Sequence, residues 1–225
     1  MQDRTQSQGI DVEEIMSIIG DVGQKTVIEL GAGDGQDSVR FLRKMRNDDR
    51  FFAVEADPRT IGNFCIKNDK RVTLIHAAIS NEDKESGIFN IETGIIPQLG
   101  RPHYDGSSAR LPTKETYDEC PWLSYEKIQV PYITLDTIIN RYGINKIDCI
   151  WCDVEGNTRE TIQGGVGAFK ITKYFYTEVK HKKAYSYEGE AMYDEIVSMM
   201  ESIGFELVFK FEYNAFFRNL NLKVR

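Results

Sequence analysis

The run TVIEL at residues 26–30 has the β-branched, apolar character of a buried strand, and it leads straight into Gly31-Ala32-Gly33-Asp34-Gly35. Glycine at alternate positions lets the backbone turn sharply and come close to a ligand where a Cβ would clash. Val39, Leu42 and Met45 follow at the spacing of one helix face. A strand, a glycine turn and a helix in that order open an α/β unit. The first turn of such a helix offers unpaired N–H groups and a positive partial charge to whatever binds there.

The rest of the chain continues the alternation that builds a mostly parallel sheet. FFAVE at 51–55 is the second strand. Asp57-Pro58 then starts a helix, with Asp as cap and Pro at the first helical position. RVTLI at 71–75 is a third strand, residues 146–154 a fourth and 174–179 a fifth. Phe205 to Phe211 and Ala215 to Asn219 form a closing pair around Tyr213-Asn214. Asp11 with Glu14 predicts a capped helix in an N-terminal extension over 1–25, Thr134 caps a helix reaching Arg141, and Asn157 with Glu160 is expected to cap another. Met192, Ile196, Met199 and Ile203 share a helix face that Gly204 ends. Periodicity disappears over 93–126, a stretch too long for a plain connection, which is expected to be a lid or acceptor-binding loop. It carries Tyr104, Ser107, Ser108, Arg110, Tyr117, Trp122 and Tyr125, a mixture suited equally to stacking on a hydroxylated ring and to packing a lid on its own domain. No repeat or linker divides the 225 residues, so one domain is expected.

Charge and cysteine usage exclude several partners. The formal net charge is −7, from 28 basic and 35 acidic residues, a surface that repels phosphate backbones, so nucleic acid is not expected as a partner. No signal-peptide core or 18-residue apolar run occurs, so no membrane partner is expected and a cytoplasmic location is. Cys149-x-x-Cys152 lies inside an apolar strand, where residues three apart face opposite sides and cannot easily share one ion. The three histidines also lack ligand spacing, so no metal is expected.

Two details of the glycine turn separate possible cofactors. A dinucleotide fingerprint places its third glycine one position later, where this chain has Gln36. Glu29 also sets a carboxylate immediately before the turn, repelling a pyrophosphate but attracting an ammonium or sulfonium; as an alternative, it is a satisfied polar residue at a strand end. S-adenosylmethionine therefore fits better than NAD. Glu55, at the end of the second strand, is placed to accept both ribose hydroxyls. Asp57 competes with it but already has work as a helix cap.

The succession ELGAGDGQDS, FAVEADP, HAAIS, GSS, TLDTII, IDCIWCDVEGNTRETIQGG and YTE resembles FkbM-type methyltransferases from about residue 26 to 219. The chain departs from the family in its first turn, where ELGAGDG stands for the more usual Asp-x-Gly-Ala-Asn-x-Gly. The resemblance implies a Rossmann-like class I methyltransferase fold: a mostly parallel seven-stranded sheet with an antiparallel last strand and helices on both faces. It also implies methyl transfer from S-adenosylmethionine to a hydroxyl, often on a sugar, glycan or natural product. Carried over by position, Glu29, Gly31, Gly33, Gly35 and Glu55 would hold the cofactor. Ala77 and Ala78 would lie near the adenine, and Asp153 would face the methionine end.

A hydroxyl nucleophile gains from a base, and the candidates are Glu155, Asp153 and His181, with Glu178 in second rank. Asp153 and Glu155 are two apart and share a face if the segment is extended, where each would raise the other's proton affinity. Glu155 is equally placed to cap the helix near Asn157. His181 stands among Lys180, Lys182 and Lys183, the setting of an ordinary surface residue. An NAD-dependent oxidoreductase, a non-catalytic nucleotide-binding protein and an RNA-directed enzyme are the rival readings. The first would share Glu55, the second would not need Asp153-Val154-Glu155-Gly156, and the third lacks an interleaved basic and aromatic patch.

Overall fold

A central sheet gathers seven strands in the order β11-β12-β10-β9-β1-β2-β3. The computed structural model describes residues 11–20, 22–97, 100–102, 106–181 and 185–222. Its strands β1 (Thr26–Leu30), β2 (Arg50–Glu55), β3 (Val72–His76), β9 (Ile147–Cys152) and β10 (Thr172–Glu178) run parallel. β12 (Asn214–Asn219) lies antiparallel between β10 and β11 (Phe205–Lys210). The antiparallel member is thus the last strand in the chain, as expected. β1 and β9 are buried along their whole length, which matches their near-continuous apolar sequence.

Helices fill the crossovers. α1 (Val12–Ile19) opens with a capping box in which the Asp11 side chain and Glu14 bond reciprocally. α2 (Gln36–Lys44) and α3 (Pro58–Gly62) follow β1 and β2; Asp57 caps α3 by accepting from the Arg59 N–H. α5 (Leu135–Tyr142) is capped by Thr134. α6 (Thr158–Gln163) and α7 (Val166–Lys170) join β9 to β10, and α8 (Tyr193–Ser202) leads into β11. The expected Asn157 cap on α6 does not form. The Asn157 amide instead donates to the Ile79 carbonyl at 2.7 Å, and Glu160 pairs with Arg110 at 2.5 Å.

Two apolar cores cover the two faces of the sheet. Ile28, Leu30, Ile150 and Cys152 face one, and Val27, Phe41, Cys149 and Trp151 the other. Cys149 and Cys152 therefore point away from each other, and both are free buried thiols. Burial pushes the Cys152 thiol up to about 12, so it behaves as a small core residue.

A second sheet, in the order β4-β8-β5, was not foreseen. β4 (Ala78–Ile79) pairs parallel with β8 (Tyr125–Ile133), and β5 (Lys84–Glu92) pairs antiparallel with β8. The apolar positions of Lys127 to Ile133 suit the extended β8, whereas β5 carries no such local signal. The unpatterned 93–126 stretch contributes β6 (Ile95–Ile96), β7 (Arg101–Pro102), α4 (Lys114–Glu119) and the start of β8. Tyr104, Lys182 and Lys183 lie outside the described residues.

Candidate active site

The carboxyl ends of β1, β2, β3 and β9 open onto one cavity of about 690 Å³. Glu29, Gly31 and Gly33 line it from β1 and its turn, Glu55 and Asp57 from β2, Ala77 and Ala78 from beyond β3, and Asp153 and Glu155 from beyond β9. The three carboxylates read from the sequence as one site, Glu29, Glu55 and Asp153, thus do share one space. A crevice past the strand ends is where open α/β sheets bind their ligands.

Gly31 has φ +77°, and a Cβ built on it would stand 1.7 Å from the carbonyl oxygen of Asp153. β1 and β9 can pass this close only because residue 31 has no side chain. The Gly31 and Ala32 N–H groups donate to the Val54 carbonyl at 2.9 and 3.1 Å, tying the turn to β2. Gly33 has φ +54° and open space around its missing Cβ. Gly35, expected among the cofactor contacts, does not line the cavity. It starts α2 at φ +90° with its missing Cβ 2.9 Å from the Phe64 ring, so its need for glycine comes from packing.

Glu55 is fixed from both sides. Its Oε2 accepts from the Gly33 N–H at 2.7 Å, and its Oε1 from the Ala56 and Asp57 N–H groups at 2.8 and 2.6 Å. Burial raises its pKa, and those three donors pull it back. Asp57 is occupied elsewhere, capping α3 and pairing with Arg59 at 2.6 Å. Glu29 is 1% exposed and accepts a short hydrogen bond from the Ser38 hydroxyl. Burial, with Asp37, Glu55 and Asp153 nearby, holds its carboxyl well above the usual range. Such a crowd of acids favours a ligand that brings positive charge.

Beyond β9 the chain is not extended. Glu155 sits in the left-handed region at φ +44° and Gly156 follows at +83°, a conformation costing a non-glycine residue about 1–2 kcal/mol. This turn, and not a shared strand face, brings Asp153 and Glu155 together with Glu178 from β10. Among the described residues these three carboxylates have oxygens within 4.8 Å of one another. Lys180, 2.6 Å from Glu178, meets part of that charge from within the protein. Burial, then Asp153 and Glu178, drives the Glu155 carboxyl well above the ordinary glutamate value, against the opposing pull of Lys180. His181 lies apart: it is exposed, its ring lies tilted against that of Tyr193 with centroids 4.6 Å apart, and it does not line the cavity.

The sequence reading missed several lining residues. Trp151 stacks on Tyr176 at 3.9 Å and meets Phe41 edge-on, presenting its remaining surface to the cavity. Asp37, Arg59, Phe89, Ala109 and Asn157 also contribute, while Ser107 lines the cavity from the expected acceptor loop. The apolar run around Trp151 signals core packing, and nothing in its local spacing marks it as a wall.

The model of the methyltransferase FkbM domain matches residues 21–207, most of the chain. The chain belongs to this family. A 2-O-methyltransferase NoeI from Sinorhizobium fredii (strain NBRC 101917 / NGR234) is 30% identical over 207 residues, covering 87% of this chain and 80% of that protein. Among solved structures, a methyltransferase FkbM from Methylobacillus flagellatus KT superposes with a TM-score of 0.50 at 12% identity. The match covers 87% of this chain and 43% of that one, so the chain spans less than half of that longer protein. A putative rRNA-methylase from Clostridium thermocellum gives 0.52 at 12% identity, over 92% and 93% of the two chains, a likeness of fold.

This FkbM-family chain is a methyltransferase, and its methyl donor is S-adenosylmethionine. The cavity suits that donor on structural grounds. It offers a glycine turn with room for a ligand, a carboxylate pinned at the β2 end, small residues beyond β3 and an excess of acid toward a cation. No helix among the described residues is long and apolar enough to cross a membrane.

Proposed function

We propose that the protein transfers the methyl group to a hydroxyl oxygen of a sugar, glycan or small natural product, with Glu155 as general base. The observation that carries this reading is Glu155 itself. It is a glutamate held in a left-handed turn at the cavity wall, with its proton affinity raised by burial, Asp153 and Glu178. A base whose proton affinity exceeds that of an ordinary carboxylate takes a hydroxyl proton more effectively. The 30% identical relative is named a 2-O-methyltransferase, which supports oxygen as the methylated atom.

In this reading Glu55 holds the ribose hydroxyls, Glu29 and Asp153 face the positively charged methionine end, and Ala77 and Ala78 leave a flat wall for the adenine. Bound there, the donor supplies an electrophilic methyl carbon on a sulfonium. Asp153 and Trp151 fix where that end of the cavity lies. The Glu155 carboxylate receives the acceptor's proton as the oxygen attacks, worth typically ~10²–10⁴-fold in rate. Alignment of the two reactants contributes roughly 7–11 kcal/mol more. Geometry favours Glu155 over exposed Asp153, and over His181, whose ring is engaged with Tyr193 outside the cavity. The loop around Ser107 and Ala109, which also lines the cavity, forms the acceptor-side lid.

The experiment is a panel of neutral methyl glycosides, cyclitols and phenols incubated with S-adenosylmethionine, following S-adenosylhomocysteine release and locating the methylated atom by NMR. Methyl ethers are the expected products, and Glu155→Gln should lower kcat by ~10²–10⁴-fold while leaving S-adenosylhomocysteine affinity intact. Methylation at nitrogen or carbon overturns the oxygen assignment; full turnover by E155Q overturns the base.

A further inference from the structure

Adjacent serines in the loop before α4 turn to opposite sides, and only Ser107 lines the cavity. Ser107 faces the β2 side: its hydroxyl accepts from the Glu92 N–H at 3.0 Å and lies 3.2 Å from Asp57 Oδ2. Ser108 turns the other way. It is 1% exposed, and its hydroxyl donates to the Glu155 carbonyl oxygen at 2.5 Å while accepting from the Arg110 N–H at 3.0 Å.

The serine is anchored before it touches Glu155. Its backbone pairs with Asn90 in both directions, at 2.8 and 2.9 Å, and the Asn90 amide adds a bond to its carbonyl. Two residues on, Arg110 reaches Glu160 of α6 and the Glu188 carbonyl at 2.5 and 2.7 Å. The strut is therefore built into β5 on one side and α6 on the other.

Glu155 needs such a strut. Only it and Tyr185 have positive φ among the described non-glycine residues, and a side chain stays in that region only where its surroundings over-determine it. The flanks of the turn are already fixed. The Asp153 N–H bonds the Leu30 carbonyl at 2.9 Å, Gly156 is packed against the Tyr187 ring, and the Asn157 amide holds Ile79. The Asn157 N–H closes the turn onto the Val154 carbonyl at 3.3 Å and Tyr187 hydrogen-bonds the Glu155 carboxyl, while the carbonyl of Glu155, whose direction reports how the peptide to Gly156 is turned, is held by Ser108.

We infer that Ser108 is a positioning residue for Glu155: its hydroxyl holds the Glu155 peptide in the left-handed turn that keeps the carboxyl beside Asp153. Ser108 touches no reacting atom and acts only through Glu155, so the inference rests on the reading of Glu155 as base. The role links a loop to a catalytic group 47 residues away in the chain.

The test is a double-mutant cycle with the panel methyl glycoside that turns over fastest, supported by calorimetric binding of S-adenosylhomocysteine. Ser108→Ala is expected to lower kcat about ten- to hundred-fold, the scale of a misplaced catalytic group, with S-adenosylhomocysteine affinity unchanged. In an E155Q background the same substitution should change kcat by less than about twofold, because the group it positions is already gone. Hydrogen exchange at residues 155–157 should quicken in S108A while residues 31–35 keep their rate. Where S108A does not fold, Ser108→Cys, with a similar shape and a weaker donor, carries the same cycle. A native kcat in the serine variant, or a loss that multiplies with that of E155Q, overturns the positioning role. Full activity of E155Q alone shows instead that the base reading has failed, a result visible without any change at Ser108.

Discussion

Substituting Gly31 by alanine confronts the fold with a clash that no side chain can relieve. The added Cβ would lie 1.7 Å from the Asp153 carbonyl oxygen and 2.8 Å from its carbon, all backbone on the receiving side. Ordinary carbon to oxygen contact begins at about 3.3 Å, so the ends of β1 and β9 would have to move apart by more than an ångström. That motion strains the bond from the Asp153 N–H to the Leu30 carbonyl, 2.9 Å long in the native protein. The left-handed conformation costs alanine about 1–2 kcal/mol, overpacking about 1–3 kcal/mol and the weakened hydrogen bond about 1 kcal/mol. The combined loss is about 3–6 kcal/mol, a large share of the roughly 5–15 kcal/mol that stabilises a domain. For a chain of this size, at about 2–4 °C per kcal/mol, that means a fall in Tm of about 6–24 °C by scanning calorimetry. Gly33→Ala is the matched control: nothing lies within 4 Å of its Cβ, so Tm should fall by only a few degrees while S-adenosylhomocysteine affinity drops, because the new methyl stands in the cavity. A G31A protein that melts within about 3 °C of the native one would refute the claim that close passage of β1 and β9 demands this glycine.

Other outcomes follow from the buried acids. Glu55→Gln replaces a carboxylate that accepts three backbone N–H groups; calorimetry should show S-adenosylhomocysteine bound about tenfold or more weakly, the scale of one charge-assisted bond, and unchanged affinity would remove Glu55 from the ribose site. Glu29, whose folded pKa is raised chiefly by burial, binds its proton more tightly folded than unfolded. Its contribution to stability is therefore present in acid and lost as pH rises through the folded value. Glu29→Gln should accordingly melt higher than the native protein at pH 8 by differential scanning fluorimetry, with the gap closing in acid; a constant gap would contradict the assignment. For Glu155, raised by burial and by Asp153 and Glu178, turnover should fall as pH drops through a value above the ordinary ~4.3 of a glutamate. A pH profile whose acid limb survives in E155Q would assign that limb to another group.

The elements legible in the sequence are those whose signals are local. The apolar runs of β1, β2 and β9, the Asp57-Pro58 start of α3 and the Thr134 cap each rest on neighbours a few residues apart. They appear where expected, to within a residue or two. Glu29 and Glu55 were also legible, because a strand end facing a glycine turn places a side chain whatever the rest of the chain does. β5 was not, since KESGIFNIE alternates weakly and becomes a strand only through its pairing with β8, some forty residues on. Nor was the true employment of Asn157, which gives up its cap to hold Ile79, nor the packing against Phe64 that explains Gly35.

The amino-acid order by itself determined the α/β frame, the glycine turn and the carboxylates at the ends of β1 and β2, because short-range sterics and periodicity suffice to specify them. Only the tertiary structure decided that Glu155 adopts a left-handed turn, that Glu178 and Lys180 stand beside it, and that Ser108 holds its carbonyl. Those contacts join residues far apart in the chain, and they exist only after the sheet has closed and brought the loops of four strands to one end.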